Sequence, residues 1–216
     1  MNLEQARFNM IEQQIRPWDV LDPKVLELLK AVRREQFVPA DSKGLAFADV
    51  EIPLGHGVTM WQPKVEARAV QALALQPSDS VLEIGTGSGY LTALLARLSA
   101  QVTSVEIEPE LSSIASRNLA THNINNVTLQ VGDASHSWGE AEYDAIVLTA
   151  SVPMVPEAYK QQLKVGGRLF AIVGDAPAMH AQQITRTGAD SFDSKVLFET
   201  VVAPLRNATQ PQRFVF

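Results

Sequence analysis

Three alternate glycines follow an apolar run and an acid in the segment Val81-Leu82-Glu83-Ile84-Gly85-Thr86-Gly87-Ser88-Gly89-Tyr90. Glycine at such a turn lets the backbone approach a ligand closely. A dinucleotide-binding turn needs the spacing G-x-G-x-x-G/A, and Tyr90 stands where its third small residue would be. A P-loop is also excluded, because no Gly-Lys-Ser/Thr follows the turn. Two interpretations remain: a turn that binds a different cofactor, and a turn that uses glycine for steric reasons alone.

Two acids further along the chain stand where ligand-binding acids are expected. Glu106 ends the next apolar run, 21 residues after Gly85 (106 − 85), and a βαβ unit places an acid for ribose hydroxyls at about this distance. Asp133 follows Gly132 after a third apolar run, at a strand end where an adenine amino group could donate to it. Each acid also has a structural interpretation: Glu106 as a solvated strand terminus, and Asp133 as an N-cap or turn residue.

Strands and helices alternate around these residues. Apolar runs predict strands over 80–84, 101–107, 127–131, 143–149 and 169–173, and helical spacing predicts helices over 63–75, 90–98, 109 to about 120, and 156–163. Two further strands, 182–187 and 194–202, read as a hairpin. This order predicts a three-layer α/β fold whose parallel sheet has an antiparallel strand at one side.

The segment before the first of these strands is helical and then irregular. Amphipathic spacing predicts helices over 2–15 and 23–33, followed by short helical turns over 37–47. Residues 47–63 are dense in glycine and proline and are predicted to form a loop, and residues 164–168 a glycine turn. Loops carry function more often than the elements that they connect, although a plain surface excursion with Trp61 packed over the core is the alternative.

Composition limits the function further. The chain of 216 residues has 46% hydrophobic and 19% charged residues, and 24 acids against 18 bases give a formal charge of −6. Without a run of Lys or Arg, nucleic acid is not expected as a partner. The chain contains no cysteine, which excludes disulfides and thiolate catalysis. Its four histidines show no ligand spacing, so no metal site is expected. The sequence shows no apolar span and no leader, so no membrane contact is expected. The expected location is the cytoplasm.

The glycine segment resembles the E-x-G-x-G-x-G pattern of class I methyltransferases that use S-adenosylmethionine, with Glu83 as its acid. Over nearly the whole chain the sequence resembles one such family, the protein-L-isoaspartate O-methyltransferases, which methylate the side carboxylate of an isoaspartyl residue. The likeness is carried by Glu12-Gln13-Gln14-Ile15-Arg16, Phe37-Val38-Pro39, Ala46-Phe47-Ala48-Asp49, Pro53-Leu54-Gly55-His56-Gly57, Leu82 to Tyr90, Asp144-Ala145-Ile146-Val147, Val155-Pro156-Glu157-Ala158 and Leu163-Lys164-Val165-Gly166-Gly167-Arg168.

The resemblance implies a Rossmann-like methyltransferase sheet of about seven strands in one domain. Residues 1–62 would be a helical lead-in and a loop that covers the cofactor, 63–206 the core, and 207–216 a tail whose apolar end docks. The implied cofactor is S-adenosyl-L-methionine, with S-adenosyl-L-homocysteine as product. Its methionine part is expected at the glycine turn, its ribose at Glu106 and its adenine at Asp133. Trp138, in the loop after Asp133, could flank the adenine, although core or surface packing is the favoured alternative. The predicted cofactor-binding residues are Glu83, Gly85, Thr86, Gly87, Gly89, Glu106, Gly132 and Asp133.

One departure from the family concerns the acceptor. The family's covering loop reads Gly-Gln-Thr-Ile-Ser-x-Pro, and its serine orients the acceptor carboxylate. The same stretch here is Gly57-Val58-Thr59-Met60-Trp61-Gln62-Pro63, so Val58 replaces the glutamine and Trp61 the serine. The predicted catalytic positions are therefore Thr59 and Trp61. His56, in the same loop, is expected to form structural hydrogen bonds.

Three hypotheses follow from this loop. In the first, the chain methylates isoaspartyl residues of proteins or peptides, with Thr59 and the backbone orienting the carboxylate. In the second, it methylates a different small acceptor, more apolar or aromatic, that stacks on Trp61. In the third, it binds the cofactor without catalysis, as a sensor or binding partner. The sequence leaves the oligomeric state open.

Overall fold

Seven strands form one mixed sheet in the computed structural model, which describes residues 2–210. The sheet strands are β3 Ser80–Ile84, β4 Gln101–Glu106, β5 Val127–Val131, β6 Tyr143–Val152, β7 Leu163–Asp175, β8 Ala178–Arg186 and β9 Phe192–Glu199. Their order across the sheet is β5-β4-β3-β6-β7-β8-β9, and β8 runs antiparallel to both of its neighbours. The predicted α/β sheet with an antiparallel strand at one side is thereby confirmed.

Proline and capping residues begin several of the helices. Asp22 caps α2 by accepting from the backbone N–H of Lys24 at 2.8 Å, with Pro23 at the first helical position. Pro63 and Pro109 hold the first helical position of α3 and α5, although the residue before each of them makes no side-chain cap. The α-helices are α1 Leu3–Met10, α2 Pro23–Ala31, α3 Pro63–Leu73, α4 Tyr90–Leu98, α5 Pro109–Thr121 and α6 Glu157–Gln161; a π-helical turn, Ile11–Ile15, extends α1, and 3-10 turns occupy Arg16–Trp18, Arg34–Gln36 and Ala40–Leu45.

The central strands are buried on both faces, which is why they read as continuous apolar runs. Successive side chains point to opposite faces of the sheet. Val81 and Val147 lie in one core, together with residues of the N-terminal helices, of α3 and of α4. Leu82 and Ile146 join a second core that includes Tyr159 of α6. The sheet is therefore the middle layer of three.

The sequence predicted a loop over residues 47–63. Part of this segment instead forms an antiparallel hairpin. Its strands are β1 Ile52–Gly55 and β2 Val58–Met60. A bulge interrupts the pairing between Pro53 and Gly55, and this irregularity hides the alternation that marks a strand in sequence. We call residues 52–60 the covering hairpin.

The predicted glycine turn at 164–168 lies inside β7 instead of before it. Leu163 pairs with Tyr143 and Arg168 with Ala145, so the residues between them bulge out of the ladder. A Cβ on Gly167 would come within 2.8 Å of a backbone oxygen of Lys164. The bulge therefore needs glycine at this point.

After β9 the chain returns to the end of β6. Ser151 donates its N–H to the carbonyl of Ala203 at 2.9 Å, and its own carbonyl accepts from the N–H of Leu205 at 2.7 Å. We call residues 203–206 the return segment. The predicted docking of the apolar end at 214–216 lies outside the described residues. Within residues 2–210, no helix has both the length and the apolar character that crossing a bilayer requires, and no group of three His, Asp or Glu could hold a metal ion.

Candidate active site

A cavity opens beyond the carboxyl ends of β3, β4 and β6, with about 990 Å³ of free space that includes the solvent at its mouth. This is the point where the strand order reverses, and open α/β sheets bind ligands there. The covering hairpin and the return segment supply its outer walls. The lining includes the predicted residues Thr59, Trp61, Gly85, Thr86, Gly87, Glu106, Gly132 and Asp133, together with Leu54, Val58, Glu66, Tyr90, Thr149 and Arg206.

The glycine turn forms the floor of the cavity. Gly85 has φ +97°, and a Cβ there would lie 2.1 Å from Oγ1 of Thr149. Gly89 does not line the cavity; it precedes α4 with φ +81°, and a Cβ there would lie 3.1 Å from that of Ala115. Gly85 therefore keeps the floor open, whereas Gly89 permits close packing between α4 and α5.

Glu106 is fixed beside the turn. It is 3% exposed, and its carboxylate accepts the N–H of Gly87 at 2.8 Å and that of Glu108 at 3.1 Å. Each carboxylate oxygen has a further lone pair for a ligand. Glu106 is thus a pre-positioned acceptor for hydroxyl groups.

Asp133 occupies the corresponding place beyond β5. Its carboxylate accepts the N–H of Ser135 at 2.9 Å and the side-chain amide of Asn207 at 2.8 Å. These two bonds, the Ser135 bond first, lower the pKa of Asp133 from its ordinary value. The side chain is therefore an ionised acceptor at neutral pH. Trp138 does not line the cavity; its indole lies against Gly132 and donates to Gln130.

Glu83, although predicted to bind the cofactor, lies behind the cavity wall. It is fully buried, and its Oε2 accepts from the hydroxyls of Thr92 and Ser104. Ser104 Oγ is 2.6 Å from Oγ1 of Thr86, which does line the cavity. Burial raises the pKa of Glu83 to about 8. Glu83 therefore reaches the cavity only through two hydroxyl groups, and it is uncharged at neutral pH.

The covering hairpin is tied down at its tip. Nε2 of His56 lies 3.0 Å from Oε2 of Glu110, and Arg206 donates to Glu108 and to the carbonyl of His56. His56 has φ +53° and does not line the cavity. Its contacts agree with the structural role predicted for it. Inside the hairpin, Thr59 donates its hydroxyl to Oε2 of Glu51 at 2.8 Å.

Trp61 is anchored at both its ring and its backbone. The indole packs edge-on against Phe170 at 6.2 Å between ring centroids, and the residue is 5% exposed. Its carbonyl accepts from Arg34 Nη2 at 2.6 Å. The indole thus belongs to the core and presents little ring face to the cavity.

Arg34 connects Trp61 to an acid that sequence reasoning missed. The guanidinium donates to Glu66 and to the carbonyl of Ala46, and it lies 5.1 Å over the Tyr90 ring. Glu66 is 3% exposed, and burial raises its pKa to about 7 although Arg34 opposes the shift. The available signal was an acid at position 66 followed by Ala69, Val70 and Leu73, which is one helical face.

The charged groups of the cavity are mainly acids. Within residues 2–210, Glu66, Glu106 and Asp133 line it together with one cation, Arg206, which is already bound to Glu108. Among the described lining residues there is no histidine. Such a site suits a ligand that donates hydrogen bonds and carries positive charge.

The chain is similar over most of its length to proteins of one family. The family model described as protein-L-isoaspartate(D-aspartate) O-methyltransferase matches residues 5–210. The protein-L-isoaspartate O-methyltransferase of Rhodopseudomonas palustris (strain CGA009) is 41% identical over 201 residues, 92% of each chain. That of Protochlamydia amoebophila is 40% identical over 185 residues, 85% of this chain and 87% of the relative.

Two solved structures share the fold. One, from Plasmodium falciparum, is described as a protein-L-isoaspartate O-methyltransferase in complex with S-adenosyl-L-homocysteine; its TM-score is 0.78 at 20% identity, over 95% of this chain and 99% of that one. The other, named protein-L-isoaspartate O-methyltransferase, has a TM-score of 0.78 at 25% identity, over 94% and 65%. With the family model spanning residues 5–210, this chain belongs to the protein-L-isoaspartate(D-aspartate) O-methyltransferase family.

Proposed function

We propose that this protein transfers the methyl group of S-adenosyl-L-methionine to the side-chain carboxylate of an isoaspartyl residue in a protein or peptide. The observation that carries this proposal is the cavity that brings the glycine turn, Glu106 and Asp133 together in a chain of this family. The acidic lining matches a cofactor that presents hydroxyl and amino donors and a sulfonium charge.

The residues of the cavity fit this cofactor. Glu106 would accept from the ribose hydroxyls and Asp133 from the adenine amino group, because both side chains are acceptors held in place by backbone N–H groups. Gly85 and Gly87 keep side chains away from the floor. The bound cofactor supplies an electrophilic methyl group, and its transfer leaves S-adenosyl-L-homocysteine. Glu83 and Gly89 would shape the turn from behind.

The acceptor carboxylate has to be positioned, and it does not have to be activated. A carboxylate is already ionised at neutral pH, so no general base is required. The covering hairpin and the return segment would exclude water and hold the acceptor near the methyl group. We assign the orienting role of the family serine to Thr59, which lines the cavity on the covering hairpin two residues before Trp61. Its present partner is Glu51, so the hydroxyl must turn toward the acceptor.

With Trp61 in place of the family serine, the acceptor carboxylate lacks one orienting hydroxyl. The loss of an orienting hydroxyl corresponds to about a 100-fold loss of rate, as for other small displacements of reacting groups. Since the indole packs on Phe170 and the backbone carbonyl of Trp61 accepts from Arg34, the residue is fixed in the core and offers the acceptor no hydroxyl. We therefore expect slow transfer to isoaspartyl peptides.

The test compares an isoaspartyl peptide with the same peptide containing ordinary aspartate. Methyl ester formation is measured by mass spectrometry, and binding of S-adenosyl-L-homocysteine by calorimetry. Ester on the isoaspartyl peptide alone is the expected result. Thr59→Val should lower the rate about 100-fold, while Thr59→Ser, which keeps the hydroxyl, should retain it. Trp61→Ser combined with Val58→Gln should raise it.

The buried indole at the serine position supports one alternative, a chain that binds the cofactor without methylating isoaspartyl residues. Intact binding of S-adenosyl-L-homocysteine with no ester above background would favour it. Because little of the Trp61 ring is exposed, an aromatic acceptor stacked on it has less support. Absence of any binding would refute both functions.

A further inference from the structure

Glu66 is a buried acid on the wall of the cavity, and the function proposed above leaves it without a role. It lies on the apolar face of α3, is 3% exposed and lines the cavity. Arg34 bonds its Oε2. A carboxylate is costly to bury, and it is retained in such a place when cations surround it.

The order of the strands places Glu66 relative to the other acids. Asp133 follows β5, Glu106 ends β4, and the glycine turn follows β3, in the order of neighbouring strands. Beyond β3 come β6 and β7. Helix α3, which carries Glu66, packs on β7, and Trp61 at its start contacts Phe170 of β7. Glu66 therefore stands on the opposite side of the glycine turn from Glu106 and Asp133.

A ligand with its adenine at Asp133 and its ribose at Glu106 would extend its amino-acid part across the glycine turn toward this side. That part carries an α-ammonium and a carboxylate. Among the described lining residues, Glu66 is the one acid beyond the turn, and an ammonium bonded to a carboxylate is a strong, charge-assisted pair. Resting on the proposed function, we propose that the Glu66 carboxylate binds the α-ammonium of the cofactor's amino-acid part.

Protonation supports the same pairing. Burial keeps the pKa of Glu66 near 7 in the free protein, and a bound ammonium would lower it. Binding would then release a proton, and affinity would rise with pH through this range. The groups that face Glu66 are Arg34 from the 3-10 turn at Arg34–Gln36, Tyr90 from α4 and, once it ionises above about pH 8, Glu83 from β3.

Calorimetry with two ligands tests the proposal. S-Adenosyl-L-homocysteine carries the ammonium, while 5′-methylthioadenosine has the nucleoside and thioether without the amino-acid part. Glu66→Gln should weaken S-adenosyl-L-homocysteine by about 10- to 100-fold and leave 5′-methylthioadenosine within about twofold. The matched control is Glu27→Gln, which removes an exposed acid of α2 and should change neither affinity.

The pH dependence provides a second readout. Wild-type affinity for S-adenosyl-L-homocysteine should rise between about pH 6 and pH 8, and Glu66→Gln should flatten this rise. Equal affinity of wild type and Glu66→Gln for S-adenosyl-L-homocysteine would overturn the inference. So would an equal loss for both ligands, because Glu66 would then act through the shape of the cavity. Failure of the wild type to bind S-adenosyl-L-homocysteine would instead overturn the proposed function, and the inference with it.

Discussion

Replacement of Gly85 by alanine is the sharpest test of the glycine turn. The residue has φ +97°, and the new Cβ would lie 2.1 Å from Oγ1 of Thr149 and 3.5 Å from its Cβ. That hydroxyl donates to the carbonyls of Ile84 and Gly85, at 2.8 and 2.7 Å. Alanine therefore forces a strained backbone and displaces a hydroxyl that holds the end of β3.

The size of the effect follows from these two terms. A non-glycine residue in this region of φ costs about 1–3 kcal/mol. Rotating the Thr149 hydroxyl away loses a hydrogen bond worth about 0.5–1.5 kcal/mol. We expect Gly85→Ala to lower the free energy of unfolding by about 2–4 kcal/mol. Binding of S-adenosyl-L-homocysteine should weaken as well, because Gly85 lines the cavity.

Urea unfolding of Gly85→Ala, Thr149→Ala and the double mutant separates the backbone strain at residue 85 from the collision with the Thr149 hydroxyl. Thr149→Ala leaves the Cβ atoms in ordinary contact, so Gly85→Ala in that background should keep the backbone strain and lose the collision. The coupling should be about 1–2 kcal/mol. Gly44→Ala is the matched control, because a Cβ there meets no atom within 4 Å. The reasoning fails if Gly85→Ala stays within about 0.5 kcal/mol of wild type or costs the same in both backgrounds.

Three further changes test other parts of the structure. Because native Glu83 holds its proton up to about pH 8 and the unfolded chain releases it near its ordinary pKa, wild type should lose up to about 1.4 kcal/mol of unfolding free energy per pH unit between these values. Glu83→Gln should lose less, and parallel pH profiles would contradict this. Tyr159→Phe removes a buried hydroxyl that donates to the carbonyl of Ala134, which should cost about 1–2 kcal/mol in thermal unfolding; an unchanged midpoint would count against it. Arg206→Ala unties the return segment from the covering hairpin, so S-adenosyl-L-homocysteine should dissociate about two- to fivefold faster in stopped flow, whereas an unaltered rate would show that this tie is not needed.

The elements of the sheet were predictable because their signals are local. Strands β3 and β5 have the predicted bounds, and α4 begins and ends at the predicted residues. Burial on both faces makes β3 a continuous apolar run, whereas the edge strand β5 alternates apolar and polar residues. A glycine follows each of these two strands and marks its end. The covering hairpin was missed because a bulge breaks its alternation, and its pairing depends on contacts between two short strands.

The site was predictable where spacing along the chain decides position. Gly85, Glu106 and Asp133 line the cavity, because consecutive parallel strands end at the same edge of the sheet. Glu83 belongs to the same motif, yet its side chain points into a face of the sheet, where Thr92 and Ser104 bond it. The motif predicts where Glu83 lies along the chain, but not which way its side chain points.

The sequence by itself determined the order of strands and helices, the glycine turn and the family, since each is written in residues that are close along the chain. Tertiary structure alone decided how the cavity is enclosed. Arg34 meets Glu66 and the carbonyl of Trp61 across 32 and 27 positions, and Arg206 meets the carbonyl of His56 across 150. No periodicity encodes such contacts, because they arise only when separate elements pack on the same sheet.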